Sequence, residues 1–190
     1  MITLKELSLN VMSGAGLARL SGVKTLKALR VRALTHIHVE ELAPFTGLKE
    51  LGIENMELRA AAFIGQMKNL KKLDLHHSRL NNLDFLKNLK KLTEFHLAER
   101  AENEDGLSAL NQLAKLKEFI YPVTDLSVYQ GHSTLEHVGM TAGVEEGFEA
   151  FAGSRVRSFT LLGNTHQERP EEVRRQMEKY VRIRSWGTEG

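Results

Sequence analysis

The 190-residue chain contains no cysteine. This absence excludes disulfide bonds, thiolate zinc ligands and cysteine nucleophiles, and it is compatible with a reducing compartment. No stretch approaches the roughly 18 consecutive apolar residues of a transmembrane helix, so the sequence predicts none. The first residues also lack the cationic leader and apolar segment of a secretory signal. We therefore expect a cytoplasmic protein.

Blocks of like charge and catalytic motifs are also missing. The 26 basic and 24 acidic residues are spread along the chain and give a formal net charge of +2. Because no basic block is present, neither a nucleic acid nor a membrane surface is expected as a partner. The sequence contains no GxSxG, P-loop, GxGxxG or HExxH motif. We expect no enzymatic activity and no cofactor.

One six-residue phrase is repeated along most of the chain. Its copies are LKELSL from Leu4, LKALRV from Leu26, LKELGI from Leu48, LKKLDL from Leu70, LTEFHL from Leu92, LKEFIY from Leu116, LEHVGM from Leu135 and VRSFTL from Val156. Successive copies begin 22, 22, 22, 22, 24, 19 and 21 residues apart. A nearly fixed period indicates an array of stacked units, each of which buries its apolar residues against its neighbours.

Each unit is apolar at its first, fourth and sixth positions. The fourth and sixth alternate about one outward residue, as in a strand with one buried face. Parallel strands are therefore predicted near residues 6–9, 28–31, 50–53, 72–75, 94–97, 118–121, 137–140 and 158–161. Their core residues are predicted to be Leu7, Leu9, Leu29, Val31, Leu51, Ile53, Leu73, Leu75, Phe95, Leu97, Phe119, Val138 and Phe159. Downstream the leucines are spaced by three, which favours 3₁₀ or extended returns over α-helices.

These units resemble leucine-rich repeats, and their 22-residue length is similar to that of the internalin-like and phosphatase-regulator-like subclass. The resemblance covers roughly residues 4–165 and is clearest from Leu70 to Leu92. It implies an α/β solenoid: a right-handed coil with a parallel β-sheet on the concave face and 3₁₀ or extended returns on the convex face. The family usually has asparagine or cysteine at position nine. This chain has Met12, Leu34, Met56, Ser78, Arg100, Thr124 and Gly143 there, and asparagine only at Asn164.

The repeat pattern stops before the C-terminus. We assign residues 1–167 to the repeat array and 168–190 to a capping segment. Pro170, followed by two glutamates, is typical of a helix start. An apolar face of Val173, Met177, Tyr180 and Val181 predicts a helical cap on the last repeat. At the other end the first strand has almost nothing before it, so its edge is expected to be exposed.

Three histidines are candidate metal ligands. His76 and His77 are adjacent, and the repeat register places His96 on the neighbouring strand. If the repeat register holds, His76 and His96 both point out of the concave face, but neither a third ligand beside them nor a supporting carboxylate can be identified. Ordinary surface residues are therefore the favoured interpretation, and no metal site is expected. The alternative is a metal-dependent activity at these three residues.

The resemblance and the polar outward positions together indicate a non-catalytic protein-binding module that uses the concave face. Such a module acts as an adaptor or an inhibitor, for example an immunity protein that neutralises a toxin. The acidic loop at 99–105 is interpreted as a tolerated surface insertion, with partner contact as the alternative. A structural protein that assembles through its first strand is the alternative function, although a monomer is expected. The expected partner contacts are Arg30, Arg32, Glu54, His76, His96 and Ile120, of which Ile120 would be buried by a one-residue slip.

Overall fold

A computed structural model describes residues 3–11, 17–20, 22–33, 39–58, 61–163 and 170–189. Nine strands form one sheet in which every pair is parallel. These strands are β1 (Glu6–Val11), β2 (Ala28–Ala33), β3 (Glu50–Glu54), β5 (Lys72–Asp74), β7 (Glu94–His96), β8 (Glu118–Ile120), β9 (His137–Thr141), β10 (Ser158–Leu162) and β11 (Ser185–Glu189). The short β4 (Glu57–Leu58) and β6 (Arg79–Leu80) pair separately. The eight predicted strands and their parallel pairing are confirmed.

Successive repeats are aligned position by position. Leu51 pairs with Leu29 on one side and with Leu73 on the other, and Leu73 pairs in turn with Phe95. The fourth residues of the units therefore form one continuous inward ladder. The predicted core residues are buried, except that Leu7 and Leu9 are only partly buried. Their strand, β1, pairs only with β2 in the described part of the chain.

The returns between strands are mostly 3₁₀ helices, as the spacing of three predicts. Leu83, Leu86 and Leu89 in one such return are completely buried. The first return contains a four-residue α-helix, α1 (Leu17–Leu20). The 3₁₀ helices are Val39–Leu42, Ala61–Gln66, Asp84–Asn88, Leu107–Gln112, Leu126–Tyr129 and Phe148–Phe151.

Aromatic side chains replace leucine in the second half of the core. Phe95 and Phe119 stack with ring centroids 5.1 Å apart and an interplanar angle of 18°. Phe119 meets Tyr129 edge to face at 6.3 Å, and Tyr129 lies 5.5 Å from Phe151. Phe151 then packs against Phe159 at 5.4 Å. We call this row of rings the aromatic ladder.

The C-terminal segment contains a helix followed by a ninth strand. Helix α2 (Pro170–Met177) lies in sequence between β10 and β11, which pair with each other. Val173, Met177 and Val181 are buried as expected, but Tyr180 is 41% exposed, so its expected place in the packed face is wrong. Strand β11 was not predicted from the sequence. Its Trp186 pairs with Phe159 and extends the aromatic ladder, with ring centroids 6.0 Å apart.

A serine hydroxyl caps a turn where the family usually has asparagine. The buried Ser78 Oγ accepts a hydrogen bond from the Met56 N–H at 3.3 Å and donates to the Ile53 carbonyl oxygen at 3.3 Å. Buried backbone groups need such partners. Ser78 therefore joins its own turn to that of the preceding repeat.

Within the described ranges no helix is long and apolar enough to cross a bilayer.

His132 is a buried titratable group in the core of this fold, with 5% of its surface exposed. Its Nε2 lies 3.1 Å from the Leu110 carbonyl oxygen, and its Nδ1 accepts from the Thr134 N–H at 3.4 Å. One nitrogen must donate and the other accept, so this environment fits the neutral imidazole. Burial lowers the pKa of His132 below its ordinary value of 6.5.

We expect His132 to make the protein less stable as the pH falls through the ordinary histidine range. In the unfolded chain this histidine has a pKa near 6.5, so it binds a proton as the pH falls through that value. In the folded chain, whose His132 has a lowered pKa, the imidazole stays neutral over more of this range. The unfolded state is therefore favoured as the pH decreases. Urea unfolding of the wild type at about pH 7.5 and about pH 5 should show this loss. In the non-titrating variant His132→Gln, part of the pH dependence should disappear.

A control separates this effect from carboxylate titration. The pKa of Glu118 is lowered by its hydrogen bond to His137, so its contribution is lost only as the pH falls below its ordinary value of 4.5. The histidine window thus lies above the glutamate window. Identical pH dependence in the wild type and in His132→Gln would contradict the assignment to His132.

Candidate functional site

The candidate site is the open face, which we define as the solvent-facing side of the nine-stranded sheet. The fifth residues of the first six repeats follow one another in register: Ser8, Arg30, Gly52, Asp74, His96 and Ile120. A neighbouring column is formed by the third residues: Glu6, Ala28, Glu50, Lys72, Glu94, Glu118 and His137. A depression of about 470 Å³ runs along these two columns. The leucines between the two columns point inward, so the column residues lie on the opposite side of the sheet. Many of these column residues are charged.

Arg30, Arg32 and Glu54 lie together over β2 and β3. Arg32 Nε is 3.4 Å from Glu54 Oε1 in an ion pair that is open to solvent. Arg30 extends across Gly52, because a Cβ atom at Gly52 would lie 3.1 Å from Arg30 Nε. The absence of a side chain at Gly52 therefore creates the space for Arg30. Three of the predicted contact residues thus form one accessible group.

His76 and His96 meet at the centre of the open face, with two carboxylates beside them. His96 Nε2 lies 3.1 Å from Glu189 Oε2, and His76 Nδ1 lies 3.7 Å from Glu189 Oε1. Asp74 Oδ1 accepts a hydrogen bond from the His76 backbone N–H at 3.2 Å. The two imidazole rings are 5.4 Å apart. We call Asp74, His76, His96 and Glu189 the histidine–carboxylate cluster.

Further polar pairs link neighbouring strands on this face. Lys72 Nζ is 2.8 Å from Glu94 Oε2, and this hydrogen bond raises the pKa of Lys72. Glu118 Oε2 lies 3.5 Å from His137 Nδ1, while His137 Nε2 lies 2.9 Å from Thr160 Oγ1. The hydrogen bond from His137 lowers the pKa of Glu118 and favours its carboxylate form. Several charges on the open face therefore have a partner on the next strand.

Ile120 does not offer a contact surface, which corrects its inclusion among the partner-binding residues. It is paired with His96 as predicted, yet only 2% of it is exposed. The strand register has therefore not slipped. A Cβ atom at Gly139 would lie 3.0 Å from both the Ile120 Cα and the Leu162 Cδ1. The sheet and the Leu162 side chain close over this glycine, and the apolar part of the face is buried.

The acidic loop at 99–105 is held by its own contacts. Arg79 pairs with Glu99 at 3.7 Å, and Arg100 pairs with Glu104 at 2.9 Å. The Tyr121 hydroxyl accepts from the Ala101 N–H at 3.1 Å and donates to Glu104 Oε1 at 3.2 Å. Burial raises the pKa of Tyr121 to about 12, so its hydroxyl remains a donor. These contacts favour the interpretation as a structured surface insertion, because three of its charges (Glu99, Arg100 and Glu104) are already paired.

Comparison with solved structures identifies the architecture. The chain aligns with an internalin (inlF) from Listeria monocytogenes at a TM-score of 0.66 and 18% identity, covering 89% of this chain and 49% of that one. It aligns with internalin C2 of the same species at a TM-score of 0.65 and 19% identity, covering 82% of this chain and 70% of that one. The chain has the leucine-rich-repeat fold of internalins. It spans about half the length of the first of these proteins.

Sequence comparison adds no relative to this structural likeness. No protein-family model matches the chain, and no curated protein matches it. The structural likeness to internalins confirms the leucine-rich-repeat resemblance found in the sequence, and at these identities it establishes the fold alone.

Two members of the histidine–carboxylate cluster, Asp74 and Glu189, were not predicted from the sequence. Asp74, the fifth residue of the phrase that begins at Leu70, was not among the expected contacts, and Glu189 was assigned to the capping segment. One signal points to β11: the tetrapeptide IRSW from Ile183 resembles VRSF from Val156, where the eighth repeat begins. The five remaining predicted contacts, Arg30, Arg32, Glu54, His76 and His96, stay predictions.

Proposed function

We propose that the chain is a non-catalytic protein-binding module that binds its partner on the open face, as the concave side of a right-handed solenoid. The observation that supports this most directly is the internalin-like fold with a sheet of in-register, solvent-accessible charged side chains. A surface held by strand pairing needs little further ordering when it binds, which lowers the entropic cost of association. Adaptor and inhibitor are the two roles that such a module fills.

The first test concerns three of the predicted partner contacts, Arg30, Arg32 and Glu54. Arginine is enriched among the residues that contribute most to interface affinity. The Arg32–Glu54 ion pair is exposed, with half of the arginine side chain open to solvent. Such pairs contribute only about 0–1 kcal/mol to folding. The two charges can therefore be exchanged with little effect on the fold.

We expect the double exchange Arg32→Glu with Glu54→Arg to abolish partner binding while leaving the melting temperature nearly unchanged. The exchange keeps an ion pair but reverses the charge pattern that a partner meets. The measurement is affinity capture from native lysate with quantitative mass spectrometry, comparing the proteins retained by wild type and variant. A partner should be retained by the wild type and lost by the variant.

The matched control exchanges a second exposed pair of neighbouring repeats. Lys117 Nζ lies 3.1 Å from Glu136 Oε1, just before β8 and β9 and away from the two columns. The exchange Lys117→Glu with Glu136→Lys should retain the same partner as the wild type. Loss of the partner in this control, together with retention in the Arg32 and Glu54 exchange, would show that the open face is not the interface.

Assembly through β1 is the second candidate function. Leu7 and Leu9 on this strand are only partly buried, and Leu4 just before it is 39% exposed. A sheet edge with apolar side chains is able to pair with another chain. Light scattering at several concentrations distinguishes the two functions, because a mass that stays monomeric at every concentration contradicts assembly.

A further inference from the structure

We propose that Asp74, His76, His96 and Glu189 bind a divalent transition-metal ion, for which Zn²⁺ is the best match. The site lies at the centre of the open face. It joins Glu189 on the last strand, β11, to Asp74 on β5, to His76 just after β5, and to His96 on β7. It goes beyond the proposed function, because it requires no protein partner.

The spacing of the donor atoms fits one ion. One donor atom each from Asp74, His76 and His96 can be chosen so that all three lie within 4.8 Å of one another. Glu189 adds a carboxylate whose oxygens lie 3.1 Å from His96 Nε2 and 3.7 Å from His76 Nδ1. In a tetrahedral zinc site with metal–ligand distances of about 2.0–2.2 Å, neighbouring ligand atoms are about 3.3–3.6 Å apart. The His76 and His96 side chains are 32% and 29% exposed, which leaves them room to adjust toward that spacing.

The surrounding contacts help to fix these side chains. The hydrogen bond from the His76 backbone N–H to Asp74 Oδ1 holds the aspartate close to the histidine and leaves Oδ2 for an ion. The rings of His76 and His77 pack edge to face at 4.3 Å, which limits the rotation of His76. Oriented ligands bind a metal more tightly than mobile ones because less freedom is lost on binding.

The chemical type of the donors selects the class of metal. Neutral imidazole nitrogens suit zinc and its transition-metal neighbours, whereas Ca²⁺ and Mg²⁺ prefer sites made of oxygen ligands. Two histidines with two carboxylates therefore favour Zn²⁺ or Co²⁺ over Ca²⁺. Asp74, His96 and Glu189 come from β5, β7 and β11, the fourth, fifth and ninth strands of the sheet, so a bound ion would fasten β11 against the middle of the sheet.

Isothermal titration of the full chain with Zn²⁺, after treatment with a chelator, tests the proposal. We expect saturable binding of one ion per chain and a rise in melting temperature, because a ligand that binds only the folded state stabilises it. Co²⁺ should give the visible absorption bands of a site with nitrogen and oxygen ligands. His96→Ala should lower the affinity at least about 100-fold, since loss of a group behind a ligand already costs about 10–100-fold.

The matched control is His137→Ala, which removes another histidine of the open face that also contacts a glutamate, Glu118 at 3.5 Å. Its affinity for Zn²⁺ should stay within about twofold of the wild type, as for an independent site. Circular dichroism before titration verifies that each variant is folded. Binding that persists in His96→Ala, or that His137→Ala weakens equally, would come from other histidines of the chain and would overturn the site.

The conservative variant Glu189→Gln tests the link to β11 without removing a histidine. We expect it to weaken Zn²⁺ binding and to reduce the rise in melting temperature, because the amide is a poor replacement for a charged carboxylate ligand. Unchanged affinity and an unchanged rise in melting temperature would overturn the assignment of Glu189. Failure to bind Zn²⁺ leaves the charge-exchange experiment on Arg32 and Glu54 unaffected, so the two proposals fail separately.

Discussion

Replacing Phe119 with alanine is expected to lower the free energy of unfolding by about 3–5 kcal/mol. The ring is completely buried at the middle of the aromatic ladder, stacked on Phe95 and edge to face with Tyr129. These neighbours belong to strands and returns that the repeat holds in place, so they cannot collapse into the cavity that the substitution leaves. Urea unfolding followed by far-ultraviolet circular dichroism measures the loss.

Phe63→Ala is the control for this effect. Phe63 lies in the 3₁₀ helix Ala61–Gln66 and is only partly buried against the core. Its replacement should cost roughly half of that amount or less, because part of the ring already faces water. Equal costs for the two substitutions would contradict the larger loss that we expect from a completely buried ring in the aromatic ladder.

Replacing Gly106 with alanine is expected to destabilise the protein by at least about 2 kcal/mol, because backbone strain and overpacking each cost about 1–3 kcal/mol. Gly106 follows the acidic loop and has a φ angle of +104°, in the region that favours glycine. A Cβ atom there would lie 2.3 Å from the Leu83 carbonyl carbon and 2.6 Å from the Asp84 nitrogen. These are backbone atoms of the preceding return, which cannot rotate away. A thermal melt of the variant should show a clearly lower transition.

Gly131→Ala separates the two causes. Gly131 also has a positive φ angle, +74°, but a Cβ atom there would have no neighbour within 4 Å. This variant carries only the cost of the backbone conformation, which we expect to be the smaller part. If Gly131→Ala were as destabilising as Gly106→Ala, the close approach to Leu83 would not matter.

The strands could be predicted from the sequence because two periods determine them together. Alternation within each phrase decides which side of a strand is buried, and the 22-residue spacing decides which residues of neighbouring repeats meet. Leu51 is thus predicted to be buried by its local pattern and to lie beside Leu29 and Leu73 by the repeat. The copies that begin at Leu116 and Leu135 depart from the 22-residue spacing, yet their strands pair in the same register as the others.

The ninth strand was missed because it keeps only part of the repeat pattern. Its sixth position is Thr188 instead of an apolar residue, and a helix replaces the 3₁₀ return before it. Ser185 therefore comes 27 residues after Ser158, with which it pairs. The local signal in this segment is that of an amphipathic helix, which hides the short strand after it.

The histidine–carboxylate cluster and the burial of Ile120 depend on the shape of the assembled sheet. Glu189 and His96 are 93 positions apart in the sequence, and β8, β9 and β10 lie between their strands. Whether their side chains meet depends on how the nine strands are arranged in space, which no local pattern encodes. Ile120 is likewise covered at the point where the Leu162 side chain closes over Gly139. These three residues lie on β8, β9 and β10, which only the fold brings together.

The position of the single tryptophan gives the protein a natural optical probe at one end. Trp186 lies on β11, and its indole packs against Phe159 with an interplanar angle of 48°. In a stacked array each unit contacts only its neighbours, so end units open at a lower free energy than central ones. Indole emission follows the detachment of this last strand, whereas amide circular dichroism follows the whole sheet. Any separation between the two signals measures fraying of that end without an added fluorophore.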